Sequence, residues 1–304
     1  MNTRALRRPV AGSLAAPHAA SSADTRPGAD APARDATLRA AAPSPQPARS
    51  RDTPRWLGAV LPVGSLLLLE AAVRLGAVPA HLLPPPSEIA RTLFDLAGNG
   101  LAAHIAASTA RVLIGFAIGS ALAVALGAWV GLSPRVRAVL DPSFQALRAI
   151  PSLAWVPLLL LWLGIDEAPK ITLVAIGAFF PVYMGVASGL RDVDRKLIEV
   201  AEMAGLSPWA MVRRVLLPAS LPAVLTGLRN GLSLAWMFMV AAELIAATRG
   251  LGYLLTDGRE TGRADIVLAA IVLLALLGKL TDTGMQRLET RWLAWRDTLD
   301  TRRG

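Results

Sequence analysis

Apolar stretches of membrane-spanning length recur along the chain, separated by short polar or proline-rich breaks, and they set out six candidate transmembrane helices. The first runs from Trp56 to about Leu75 and carries Glu70 and Arg74, four apart and able to pair on one helix face. The second runs from about Ser108 to Leu132, with Gly115/Gly119 and Gly127/Gly131 as small-xxx-small pairs suited to close packing in lipid. The third, about Pro142 to Leu163, is interrupted by Pro151 and Pro157, breaks tolerated at membrane depth where they line a cavity or pack on protein. The fourth is about Ile171 to Leu190 with Pro181 inside it, the fifth about Leu221 to Ala246, and the sixth about Asp265 to Leu280. Between the first two, the rigid stretch Leu82 to Glu88 opens an amphipathic segment, Ile89 to Leu96. Ser133 to Arg137 reads as a short basic turn, Gly164 to Lys170 and Thr248 to Arg263 as polar loops, and Asp282 to Gly304 as an amphipathic interfacial helix with Trp292 and Trp295.

One polar island breaks the apolar pattern, Glu199 to Pro218, reading EVAEMAGLSPWAMVRRVLLP. It predicts helix, turn, helix. The first helix spans about Asp194 to Ala204 and ends at Gly205, a residue suited to the left-handed C′ position. Ser207 then caps and Pro208 opens a second helix, Trp209 to Leu216, and Pro218 starts the next segment. Such an island is either an amphipathic connector on the lipid surface or a surface presented to a partner.

Composition supports the membrane reading: 54% of the 304 residues are hydrophobic and 17% charged, at a mean hydropathy of +0.48. The chain has no cysteine, which excludes disulfides, thiolate metal sites and cysteine nucleophiles, and His18, His81 and His104 are too dispersed to pair as ligands. His104 is expected at a membrane boundary. The net charge of +9 reflects membrane orientation rather than nucleic-acid binding. Six spans leave both termini on one side. That side holds Arg135, Arg137, Arg191, Arg195, Lys196, Arg213, Arg214 and both Arg-rich tails, against Arg91, Lys170, Arg249, Arg259 and Arg263 on the other. The positive-inside rule makes the first side, with the island and both termini, cytoplasmic. Residues 1–54, rich in Ala, Pro, Ser and Arg, read as a disordered tail, with a translation start further downstream as the alternative.

Charges inside the spans are the candidate pathway residues. Arg229 and Glu243 lie fourteen residues apart, on nearly the same face of the fifth span. Arg148 and Arg229 either attract an anionic substrate or pair with carboxylates of other helices. Trp129, Trp155 and Trp162 read as interface-belt residues. No Walker-type glycine loop, carboxylate pair or Ser–His arrangement is present, so no catalysis, cofactor or metal is expected, and any ATP is handled by another protein.

The island resembles the signature loop of ABC-importer permeases: Glu199, Ala201, Gly205, Val215, Leu217 and Pro218 fall at that family's spacing, with Val200 where the family often has Ala. The resemblance implies a coupling helix that docks on a separate ATP-hydrolysing subunit. It extends over nearly all of Trp56 to Trp295, with LLPPPSEIARTL, LLLLWLGIDEAPKI, FFPVYMGVASGLRDVD and LALLGKLTD similar to the sulfonate, taurine and nitrate branch, most of all to the aliphatic sulfonate permeases. It implies an all-α, type I importer permease fold with six transmembrane helices in a bacterial inner membrane. The implied division is a cytoplasmic tail 1–54, a first helix and periplasmic amphipathic segment over 55–100, a permease core over 101–283 with coupling loop 191–218, and a C-terminal amphipathic tail 284–304. The implied partners are a second copy of the chain, two ATPase subunits and an external substrate-binding protein. A carrier or channel needing no ATPase also fits six proline-broken spans, but it leaves the island without a role.

Overall fold

The computed structural model describes residues 57–295, so the expected tail 1–54 and the last residues of the expected C-terminal segment lie outside the described residues. The described chain is helical throughout: α1 (Leu57–Arg74), α2 (Pro86–Gly98), α3 (Leu101–Leu132), α4 (Pro134–Ala149), a 3-10 turn Ser152–Trp155, α5 (Val156–Leu163), α6 (Glu167–Arg191), α7 (Arg195–Met203), α8 (Pro208–Met211), a π turn Val212–Leu216, α9 (Leu217–Ala246), α10 (Leu251–Glu260) and α11 (Ala264–Trp292). Among the described residues, four helical runs are long and apolar enough to cross a membrane: α3, α6, the run Pro208–Ile245 that contains α9, and α11. The pair α4 and Ser152–Leu163, turned by 88°, is apolar enough to make a fifth if the two are taken as one broken span. The first expected span corresponds to α1, 18 residues long, which is not among these runs; its Leu61, Leu67 and Leu68 are exposed.

The centre of the molecule is α6, with α3 packed along one side and α9 along another. Small residues set that packing. A Cβ on Gly119 of α3 would collide with the Ala175 carbonyl oxygen of α6, and one on Gly131 would stand 3.0 Å from the Leu190 side chain. The glycine pairs expected on the second span are therefore helix-contact positions. The α6–α9 seam is also close: a Cβ on Gly185 would lie 2.8 Å from the Gly227 Cα. Around these contacts Val112, Val174, Ala178, Ala235 and Met239 form one buried cluster, and Ala123, Val130, Val182, Tyr183 and Val186 another.

Four expectations are corrected. Ser133 to Arg137 is not a turn: the Ser133 side chain accepts the Val136 N–H and Pro134 occupies the first helical position, so α4 begins there and Pro142 lies inside it. The second helix of the island does not stop before Pro218. It widens into the π turn Val212–Leu216 and runs on as α9; the wider turn accommodates the missing N–H and the ring of Pro218. The loop Thr248 to Arg263 contains α10. The sixth span has no break near Asp282, because α11 continues to Trp292 while Arg229 of α9 grips Asp282 and lies 3.8 Å from Glu289.

Buried charge fixes the end of the molecule remote from the island. Arg111 of α3 donates to Glu243 of α9 (2.6 Å), to Glu167 of α6 through Nε (2.6 Å) and Nη2 (2.8 Å), and to the Arg249 carbonyl (2.6 Å). Lys170 donates to Glu167 at 2.8 Å, giving two cations and two carboxylates. The Glu243 side chain is 0% exposed and accepts the Gly252 N–H (2.8 Å) and the Ser108 hydroxyl, while Ser108 accepts the Leu251 N–H (2.8 Å). The first amides of α10 are thus satisfied by side chains of α3 and α9, which explains a helix in a stretch without strong apolar periodicity. His104, expected at a boundary, accepts the Gly250 N–H at 3.1 Å and stacks on Tyr253.

Removing one partner of a buried pair costs about 3–5 kcal/mol because the other charge is stranded. Arg111→Ala is expected to lower the unfolding midpoint of the purified protein strongly, and Arg111→Lys, which keeps the charge and loses the fork, by less. Equal midpoints for Arg111→Ala and the parent in a thermal-shift series in detergent would contradict this account.

Candidate functional site

Two features stand out at the surface of this helical frame. The first is the island. Asp194 caps α7 by accepting the Lys196 N–H at 3.0 Å. The helix closes with Leu206 N–H on the Ala201 carbonyl (3.1 Å), and Gly205 takes φ +69°, the left-handed conformation expected for it. Ser207 accepts the Ala210 N–H and Pro208 opens α8, as the spacing predicts. A Cβ on Gly205 would meet nothing within 4 Å in this chain, so the backbone turn, rather than a close internal contact, is what calls for glycine here.

The six motif positions fall in one helix–turn–helix unit but face different ways. Ala201 is buried against the rest of the chain, and Val215 is half-buried in the π turn. Glu199, Leu217 and Pro218 are exposed. Glu199 pairs with Arg195 at 2.9 Å, an i,i+4 pair of exposed side chains that contributes little on its own. Beside it, Met203 is 88% exposed, Trp209 73% and Val200 64%. Large apolar side chains left exposed near a carboxylate are the composition of a docking face.

The second feature is a cavity of about 550 Å³ between the end of α4, the 3-10 turn, α6 and α9. Its polar lining is Arg148, Ser152, Ser188, Thr226 and Asn230, set among Gly177, Gly185 and Gly227. Ser188 and Thr226 donate to carbonyls of their own helices, Met184 and Pro222. Among the described residues the Arg148, Ser152 and Asn230 side chains make no hydrogen bond or ion pair, so their donors stand free toward the cavity. The break at Pro151 builds this arrangement. Ile150 is extended (ψ 123°), as a residue before proline tends to be, and the 88° bend there brings Arg148 at the end of one helix beside Ser152 in the next turn.

The three pathway candidates do not share a site. Arg148 lines the cavity. Arg229 reaches away from it to Asp282 (2.5 and 3.0 Å), and Glu243 lies in the network with Arg111. Arg111, Glu167, Lys170 and Asp282 were not singled out from the sequence. Arg111 was the detectable one, as a lone cation within an apolar span; the carboxylate partners lie up to 132 residues away along the chain. Trp129 and Trp162 are exposed as belt residues would be, whereas Trp155 lines an apolar groove.

Comparison with known proteins accords with this geometry. Residues 98–293 match the family described as binding-protein-dependent transport system inner membrane component. The chain is 40% identical over 247 residues, 81% of its length and 90% of the relative's, to the putative aliphatic sulfonates transport permease protein of Bacillus subtilis. It is 43% identical to the corresponding Escherichia coli protein (79% of this chain, 94% of the relative), and 38% identical to the E. coli taurine transport system permease protein (70% and 80%). In fold it is similar to a chain of the MetNI methionine ABC transporter in an inward-facing conformation, with TM-score 0.56 at 21% identity, covering 63% of this chain and 95% of that one. This chain belongs to the binding-protein-dependent transport system inner membrane components.

Proposed function

We propose that the chain is the permease of an ATP-driven importer of aliphatic sulfonates, working as a pair of copies in a bacterial inner membrane with both termini cytoplasmic. A separate ATPase docks on the island in the cytoplasm, and a periplasmic binding protein delivers substrate at the opposite end. The observation that carries this reading is that one helical run, Pro208–Ile245, joins the two surface features: it begins in the island and presents Thr226, Gly227 and Asn230 to the cavity. Leu217 and Asn230 are thirteen residues apart, about 20 Å at 1.5 Å per residue. Movement of the docking face therefore reaches the cavity wall through continuous backbone.

The cavity suits the substrate class. A sulfonate offers three anionic oxygens, and the Arg148 guanidinium supplies a fork of donors matched to such a group. Ser152 and Asn230 add neutral donors from two other elements. Arg229 and Glu243 serve as structural charges that hold α9 to α11 and to α3, rather than as substrate ligands.

Three outcomes test this. Gly205→Leu forces an L-residue into the left-handed region at about 1–2 kcal/mol; the variant is expected in membranes at parental level but without ATPase subunit in a pull-down. Equal ATPase recovery would sink the docking role. Glu199→Gln removes the charge of an interface hydrogen bond worth about 1.5–3 kcal/mol, so reconstituted transporter should lose about tenfold or more of the ATPase stimulation by loaded binding protein, while the binding protein keeps its ligand affinity. Arg148→Gln should cut sulfonate uptake at least tenfold with ATPase subunit still bound. Unchanged uptake in this variant removes the cavity from the pathway.

A further inference from the structure

Beside the polar cavity lies a second one, of about 330 Å³, and its lining is almost wholly apolar. It is a groove between α3, α4 and α6, walled by Leu122, Phe144, Leu147, Trp155, Ala175 and Phe179. Phe180 of α6 lines both cavities, with Gly177 and Pro181 on the polar side and Ile176 and Phe179 on the apolar side. The bend at Pro151 divides its residues in the same way. Arg148 and Ser152 border the polar cavity; Leu147, one residue before Arg148, and Trp155, three after Ser152, border the groove. Free donors and an apolar slot of tail-sized volume thus meet across one aromatic ring.

We propose that this groove is a tail subsite: substrate is held with its anionic head at Arg148, Ser152 and Asn230 and its apolar tail against Phe144, Trp155, Ala175 and Phe179, so that the permease itself discriminates among anions by tail length. The inference rests on the sulfonate-importer reading above. It adds to it that selection is not left wholly to the delivering protein. The occupant is argued from the chemistry of the two walls. An inorganic oxyanion has no use for the groove, and a hydrocarbon has no use for three free donors. An amphiphilic anion satisfies both, since each methylene moved from water into an apolar slot favours binding by about fourfold. Phe180, standing between head and tail, is the residue an entering chain must pass. Thr172, the polar side chain of the groove, donates to the Ala168 carbonyl of its own helix, which leaves no free donor on that wall.

The test is uptake of a series of unbranched alkanesulfonates, ethane to octane, by the complete transporter in proteoliposomes with its binding protein. The parent is compared with Ala175→Phe, which fills the groove, and with Ala175→Val, which fills it less and guards against misfolding of the larger variant. The reading is the ratio of octanesulfonate to ethanesulfonate uptake, normalised to transporter in the membrane. The affinity of the binding protein for both compounds is measured separately, so that its own preference is divided out. The ratio is expected to fall at least tenfold in Ala175→Phe and by a smaller factor in Ala175→Val. An unchanged ratio in both variants overturns the tail subsite, as does a parental protein that carries only the shortest members although the binding protein holds the longer ones. Either result leaves the sulfonate reading intact. Failure of the parent to carry any sulfonate is a different outcome and overturns the substrate class and the tail subsite together.

Discussion

Backbone-to-backbone approach along α6 is the constraint on which the rest of the molecule depends. In lipid, hydrocarbon gains little by leaving one apolar neighbour for another, so helix association relies on dispersion at short range and on what the backbones themselves can reach. Gly119 against Ala175 on one side of α6 and Gly185 against Gly227 on the other supply that reach. Because both seams run along a single helix, the path of α6 dictates where α3 and α9 lie, and the seam residues themselves border the two openings: Gly119 and Ala175 line the apolar groove, Gly185 and Gly227 the polar cavity.

Charge plays the complementary part at the two places where packing alone does not define the chain. At one, Arg111 gathers Glu167, Glu243 and a loop carbonyl, so that three spans and the start of α10 share a single buried cation. At the other, Arg229, within α9, binds Asp282 through two nitrogens and holds α11 beside α9 just beyond the apolar part of α11. Arg148 is chemically the same residue in a different situation. It sits at the rim of a proline break, where no carboxylate of the described residues comes within ion-pairing range. That contrast separates an arginine that holds helices together from one available to a solute.

Much of this was legible in the sequence because it is local. Apolar runs located the spans, Gly115 through Gly131 marked a packing face, and Gly205, Ser207 and Pro208 wrote out the island's turn and second helix start residue by residue. The errors also have local causes. Arginines at 135 and 137 drew attention from Ser133–Pro134, a helix start of the same kind as Ser207–Pro208. Proline at 218 suggested a boundary where a π turn removes the conflict. What was not legible is pairing over distance. Helical periodicity put Arg229 and Glu243 on one face, and it could not say that Asp282 and Arg111 would each claim one of them. The cavity escaped for the same reason, since Ser152 and Asn230 become neighbours of Arg148 only through the bend at Pro151 and the α6–α9 seam.

The anchoring of Glu243 has a mechanical corollary. Leu217, Asn230 and Glu243 are evenly spaced along α9, thirteen residues between each, so the cavity stands at the midpoint of a beam about 40 Å long. Glu243 is fixed at one end by the buried arginine, and Arg229, next to Asn230, is tied to Asp282 of α11, so α9 is pinned at its far end and at its middle, while Leu217 at the near end is exposed. A beam pinned at its middle carries its partner with it, so α11 moves with α9 wherever the Arg229–Asp282 pair stays intact.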